Sequence, residues 1–279
     1  MKTTDRHIGF IGGGNMGQAI VRGLIQAGHP PQLLSVADPD SSRQEELRDL
    51  HAGLFISPDN FVVAEQADAL ILAVKPQIMQ TVADQLARSE RPADQLIVSI
   101  AAGTTLKSLH AWFGSEAPVV RIMPNQPAVI GAGTSVLTAS ASVNELQRGL
   151  AGYIGAAIGT AVWLDNESLM DAATAVSGSG PAYFYLLMEL IESSAIKFGF
   201  SKEVASKLTV TTALGAARLA DTLGSPLVEL RRQVTSPGGT TAAALDVLED
   251  AEIRDIFHRA LEAARNRSAE LGEPDSSDD

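Results

Sequence analysis

Cysteine is absent from the 279 residues. That absence excludes disulfides, thiol nucleophiles and cysteine-ligated zinc together, and it fits a reducing compartment, the cytoplasm. Basic charge is scarce: 21 Lys and Arg stand against 33 Asp and Glu, a formal net charge of −12. With no basic patch in view, such a surface repels phosphate backbones, and nucleic acid is not an expected partner. Long apolar runs are missing as well. The first, "HIGFIG", ends in glycines far short of a signal-peptide core or a membrane span, and no membrane partner is expected. His7, His29, His51, His110 and His258 are scattered without metal-ligand spacing, so no metal site is expected.

What is present is a globular composition, 45% hydrophobic and 19% charged, in a chain long enough for one large or two ordinary domains. Residues 7–12, 33–37, 69–74, 96–100 and 119–123 read as buried strands, with stretches of helical length between most of them, such as 15–27 and 77–88. That alternation predicts an α/β Rossmann-type domain over residues 1–165, with a parallel sheet covered on both faces and the runs 133–139 and 160–164 extending or edging it. An all-α domain is predicted over 166–272, with helices at 166–176, 181–198, 201–223, 226–234, 240–249 and 252–271. Ser225 fits an N-cap ahead of Pro226, and Gly199, Gly224 and Gly272 fit helix C-termini. "PAYFYLLMELIESSAIKFGF" is apolar around most of its circumference, which predicts a homodimer enclosing it. The acidic tail 273–279 is expected to be disordered.

Gly12, Gly14 and Gly17 form a G-x-G-x-x-G directly after a strand and opening a helix, the context that makes the motif a dinucleotide site. Asp38 lies 21 residues after Gly17, where an acid would bond an adenosine ribose and favour NADH, or would merely cap the turn that "DPD" favours. Ser41, Ser42 and Arg43 follow and would suit the extra phosphate of NADPH, so both cofactors stay open. Lys75-Pro76, "SIAAG" and "RIMPNQP" fall just past strand ends, the ligand edge of such a sheet.

In the second half, "SGSGPAYF" (177–184) and "TSPGGTT" (235–241) read as small-residue loops entering helices, with unpartnered N–H groups suited to a carboxylate. Neither contains a histidine or lysine. Oxidation of an alcohol generally wants such a group, whereas a protonated C=N is already electrophilic, so the chemistry leans toward reduction of a small imine bearing a carboxylate.

Together, "GFIGGGNMG", "LAVKPQ", "SIAAG", "SGSGPAYF" and "TSPGGTTAAALDVLE" closely resemble the pyrroline-5-carboxylate reductases over nearly the whole chain. The resemblance implies reduction of 1-pyrroline-5-carboxylate to L-proline with NADPH or NADH, and interleaved dimers, with decamers in several members. It implies a carboxylate loop of Ser236, Gly238, Gly239, Thr240 and Thr241, with the Thr241 hydroxyl beside the ring nitrogen as the catalytic group. Ser177, Gly178 and Ser179 would border nicotinamide and substrate. Asn15 and Met16 would join the phosphate loop, and Asn60 would touch a ribose. Val74, Lys75 and Pro76 would line the cofactor, and Ala101, Ala102, Gly103 and Asn125 would approach the nicotinamide. A β-hydroxyacid dehydrogenase is the nearest enzymatic rival, but Phe184 and Met188 occupy its lysine and asparagine positions. A non-catalytic NAD(H)-sensing oligomer is the rival from another class.

Overall fold

A computed structural model describes residues 3–272, so the acidic tail lies outside the described residues. An eight-stranded sheet has the spatial order β3-β2-β1-β4-β5-β6-β7-β8. Its strands are β1 (Ile8–Ile11), β2 (Leu34–Ala37), β3 (Phe55–Ser57), β4 (Ala69–Leu72), β5 (Leu96–Ser99), β6 (Val119–Met123), β7 (Gly133–Ala139) and β8 (Gly159–Trp163). The helices between them are α1 (Asn15–Gln26), α2 (Ser41–Leu50), α3 (Asn60–Gln66), α4 (Pro76–Ala87), α5 (Leu106–Phe113) and α6 (Glu145–Ala156).

The strands alternate sides as a pleat requires. Ile8, Phe10, Leu34, Val36, Ala69, Ile71, Leu96 and Val98 join one core cluster, while Ile11, Leu70, Leu72 and Ile97 join the other. Both faces are therefore packed, which is why the strands read as continuous apolar runs. One departure from a parallel sheet has a physical cause. Between β6 and β7 the chain has room only for a 3-10 turn, Gln126–Ile130, and the pair is antiparallel. The connection from β7 to β8 carries α6, long enough for a crossover, and that pair is parallel again.

By contacts the chain divides into two compact units, one running to Ser179 and resuming at Ala264, the other Gly180–Ala263. Beyond β8 the first unit continues as a 3-10 turn (Glu167–Leu169), α7 (Met170–Ala173) and a π-helical turn (Thr174–Gly178). The expected single helix over 166–176 is thus three short pieces. The second unit contains α8 (Gly180–Lys197), α9 (Lys202–Leu223), α10 (Leu227–Gln233) and α11 (Thr240–Asp250), and α12 (Ile253–Gly272) runs from it into the first. Gly224 ends α9 at φ 58, as its position predicts. Ser225 is not the cap of α10. Pro226 is, its carbonyl receiving the Glu229 and Leu230 N–H groups.

Beneath the sheet, His29 is buried against the Tyr153 ring, and neither of its nitrogens finds a hydrogen-bond partner among the described residues. Burial pushes its pKa below the ordinary 6.5, offset in part by the backbone of Leu33 and of Arg6. His7 is likewise lowered by burial, against the opposing charge of Asp68. Both groups bind protons more readily in the unfolded chain. As pH falls below 6.5 the unfolded state therefore gains protons first, and stability drops. Thermal unfolding from pH 7.5 down to about 5.5 should show Tm falling, and His29→Leu should flatten the slope. An equal slope in that variant would acquit His29.

Candidate active site

The carboxyl ends of β1, β2, β4, β5 and β6 share one edge, and β1 beside β4 is the point where strand order reverses. Open α/β sheets bind their ligands there. Gly12 leaves β1 at φ +101, and a Cβ on it would lie 2.8 Å from the Ala73 carbonyl oxygen and 3.2 Å from Val74 Cγ1. Only glycine lets the two loops close on each other, and this closure brings Ala73 and Val74 against the Gly12–Gly17 turn, with Lys75 and Pro76 next in the chain. Lys75 is the exposed N-cap of α4, with Pro76 at its first turn.

Gly14 caps α1 without a side-chain bond, and the first returned N–H is that of Gln18, to the Gly14 carbonyl. The Asn15, Met16 and Gly17 N–H groups have no backbone partner among the described residues. Among the described residues, a Cβ on Gly14 would have only Arg43 Nη1 nearby, at 4.0 Å. Open backbone, three free donors and the positive end of a helix fit a dinucleotide pyrophosphate.

Of the two readings of Asp38, ribose ligand and turn residue, the described contacts are those of the second: its carboxylate turns inward. The residue is buried; Oδ2 accepts the Gly13 N–H at 2.7 Å and Oδ1 the Asp40 N–H at 2.9 Å. Asp38 anchors the phosphate loop in this arrangement. Asn60 is half-buried as the first residue of α3, behind the Asp59 cap.

Ala101, Ala102 and Gly103 follow β5. Gly103 has φ +78, and a Cβ there would sit 2.6 Å from the Leu271 carbonyl oxygen, so the last turn of α12 lies backbone to backbone against this turn. Composition gave no sign of that support. Nor did it link Arg121 to Glu167, 46 residues apart. Arg121 Nη1 donates to Glu167 Oε1 at 2.6 Å, and the same oxygen accepts the Leu106 N–H that opens α5. The Arg121 side chain is 9% exposed and that of Glu167 29%. Glu167→Ala should cost about 3 kcal/mol in denaturant unfolding, because a buried guanidinium is stranded. Glu167→Gln, which keeps an acceptor for Leu106, should cost less. Equal stability of all three proteins would dismiss the pair as a brace.

The 177–184 stretch is not a loop. Its Ser177 and Gly178 end the π-turn, Ser179 bridges to α8 with right-handed helical dihedrals, and the Ser179 N–H is already bonded to the Thr174 carbonyl at 2.8 Å. That bond removes the Ser179 N–H from the expected set of free donors, because the chain widens there rather than breaks. The expectation of free N–H groups holds in the second unit. Pro237 and Gly238 (φ +69) turn the chain so that the Gly239 N–H reaches the Ser236 carbonyl at 3.0 Å. Gly239 caps α11 without a side-chain bond, and Ala243 makes the first return bond, leaving the Thr240, Thr241 and Ala242 N–H groups free. Thr241 Oγ1 makes no hydrogen bond among the described residues.

A family model described as pyrroline-5-carboxylate reductase dimerisation matches residues 167–271. One described as NADP oxidoreductase, coenzyme F420-dependent, matches residues 7–103. The pyrroline-5-carboxylate reductase of Pseudomonas aeruginosa is 45% identical over 95% of this chain and 97% of its own length, and that of Methanosarcina acetivorans is 39% identical over 96% and 98%. Among solved structures, a pyrroline-5-carboxylate reductase from Coxiella burnetii superposes with a TM-score of 0.91 at 39% identity, covering 96% of this chain and 99% of that one. The Plasmodium falciparum pyrroline carboxylate reductase with NADP bound gives 0.84 at 29% identity over 96% and 99%.

Proposed function

The chain belongs to the pyrroline-5-carboxylate reductase family, and from that premise we propose how its own residues reduce 1-pyrroline-5-carboxylate to L-proline. The observation that carries the proposal is the open N-terminus of α11, where three N–H groups have no backbone partner among the described residues and the first turn carries no acidic residue. The Thr240, Thr241 and Ala242 amides, made approachable by Gly238 and Gly239, hold the substrate carboxylate, and Ser236 shapes the turn. The Thr241 hydroxyl hydrogen-bonds the ring nitrogen and keeps the imine oriented.

A bound NADPH or NADH would supply the hydride, which adds to the carbon of the protonated C=N as its π pair becomes the lone pair of the product amine. The nitrogen's proton is already present in the iminium form, so the pocket works without a lysine or histidine acid. The Asn15–Gly17 amides hold the pyrophosphate, Asn60 and Val74–Pro76 flank the nucleotide, and Ala101–Gly103 back the nicotinamide. Ser177 and Gly178 border the reacting groups.

We also place the enzyme in the cytoplasm as a homodimer or a larger ring such as a decamer. In the single chain Phe184 is 67% exposed and Phe198 81%, and a second copy would cover them. Sedimentation showing a monomer at micromolar concentration would count against this.

The direct test follows loss of reduced-nicotinamide absorbance with pyrroline-5-carboxylate. Turnover by the wild type, falling roughly ten- to a hundredfold in Thr241→Val, is the expected result. A folded protein that binds nucleotide but reduces nothing would sink the proposal.

A further inference from the structure

The π-turn at Thr174–Gly178 needs an explanation, because a widened helix is less stable than a regular one and persists where something holds it. Part of the cause is local. Pro181 has no N–H to return to the carbonyl four residues back, which is that of Ser177, and a proline ring clashes with that carbonyl in a regular helix. The Thr174 and Ser177 hydroxyls bond back to the Met170 and Ala173 carbonyls, each at 2.9 Å, a pattern that bends helices.

The rest comes from the sheet edge. Asn125 Nδ2 donates to the Ser177 carbonyl at 2.9 Å, so the acceptor that Pro181 cannot serve is served from the end of β6. Its Oδ1 accepts the Thr134 N–H at 2.8 Å, which pins the amide to the start of β7. Asn125 is buried, and both ends of its side chain are engaged within the protein. Met123, two residues earlier, sits so close to Gly178 that a Cβ there would lie 2.9 Å from Met123 Cε. The end of β6 and the residues just past it thus hold Gly178 by contact and Ser177 by a hydrogen bond.

We propose that Asn125 is a positioning residue: it does not grip the nicotinamide but fixes the π-turn that presents Ser177 and Gly178 to the substrate. The inference rests on the reductase reading above. It separates two roles that sequence alone merges, since a residue touching the cofactor and one aiming the substrate turn both follow a strand end.

The decisive variant is Asn125→Asp. It keeps the shape and the acceptor for Thr134 but sets an oxygen against the Ser177 carbonyl. Substrate KM should rise roughly tenfold or more, the loss of one buried hydrogen bond. The dissociation constant for NADPH, read by fluorescence titration without substrate, should stay within about twofold, because the phosphate loop is untouched. Amide exchange at Ser179, whose N–H closes the π-turn, should quicken by a similar factor. Asn125→Ser, too short to reach Ser177, should behave alike and covers the case in which the aspartate variant does not fold. A cofactor constant that rises in step with KM would overturn the proposal, as would an unchanged KM with unchanged exchange. Failure of the wild type to turn over would overturn the reductase reading separately, while exchange at Ser179 would still decide whether Asn125 holds the turn.

Discussion

Alanine at Gly12 is expected to abolish measurable cofactor binding, with affinity falling by a hundredfold or more. Two independent penalties act on one methyl group. The backbone at φ +101 is a region that L residues avoid, at a cost of about 1–3 kcal/mol. The added Cβ would also meet the Ala73 carbonyl oxygen at 2.8 Å and its carbon at 2.9 Å, both backbone atoms at the end of the adjoining β4. The only relief is to part the Gly12 turn from the 73–76 turn, which opens the cleft where the dinucleotide lies. Gly28, just past the end of α1, is the control. It has φ +86, and a methyl group added there would have nothing within 4 Å among the described residues. Gly28→Ala should therefore cost about 1 kcal/mol of strain alone and leave nucleotide affinity intact. If both variants lose stability equally and both still bind NADPH, the closure of the two turns is irrelevant to the site.

The contrast between these glycines marks where the sequence is readable. Gly12 is legible because motif, strand and helix agree, and the strands are legible because burial on both faces leaves them uniformly apolar. Phe55–Ser57 escaped notice. Three residues at the sheet edge, with Phe55 exposed, carry too little pattern to read as a strand. Ser177-Gly178-Ser179-Gly180 has the composition of a loop, and composition has no means of showing that hydroxyls and a distant asparagine satisfy the chain as a widened helix. Glu167 and Arg121 are unremarkable by themselves; their meaning lies in a pairing across 46 positions. What the sequence withholds is direction: it places a side chain at a strand end without saying which way the side chain turns.

Asp38 is the sharpest instance, and it carries the second large effect. Its position past β2 suits a ribose ligand, but the buried carboxylate already accepts N–H groups from Gly13 and Asp40. Hydrogen bonds to a charged acceptor contribute about 1.5–3 kcal/mol each, and removing the acceptor leaves the Gly13 N–H buried without a partner. Asp38→Ala should thus destabilise the protein by about 3 kcal/mol and weaken NADH and NADPH alike, because the loop that binds their common pyrophosphate is loosened. Discrimination between the cofactors should rest on Arg43, whose guanidinium reaches the open side of Gly14. A guanidinium recognises a phosphate oxygen pair in a way a ribose hydroxyl cannot match. Arg43→Ala should raise KM for NADPH by roughly tenfold or more and leave KM for NADH nearly unchanged. Parallel kinetics with both cofactors decide between the two roles. A loss confined to NADH in Asp38→Ala would return the carboxylate to the ribose. An equal loss for both, alongside an NADPH-specific loss in Arg43→Ala, assigns the carboxylate to loop geometry and the guanidinium to cofactor choice.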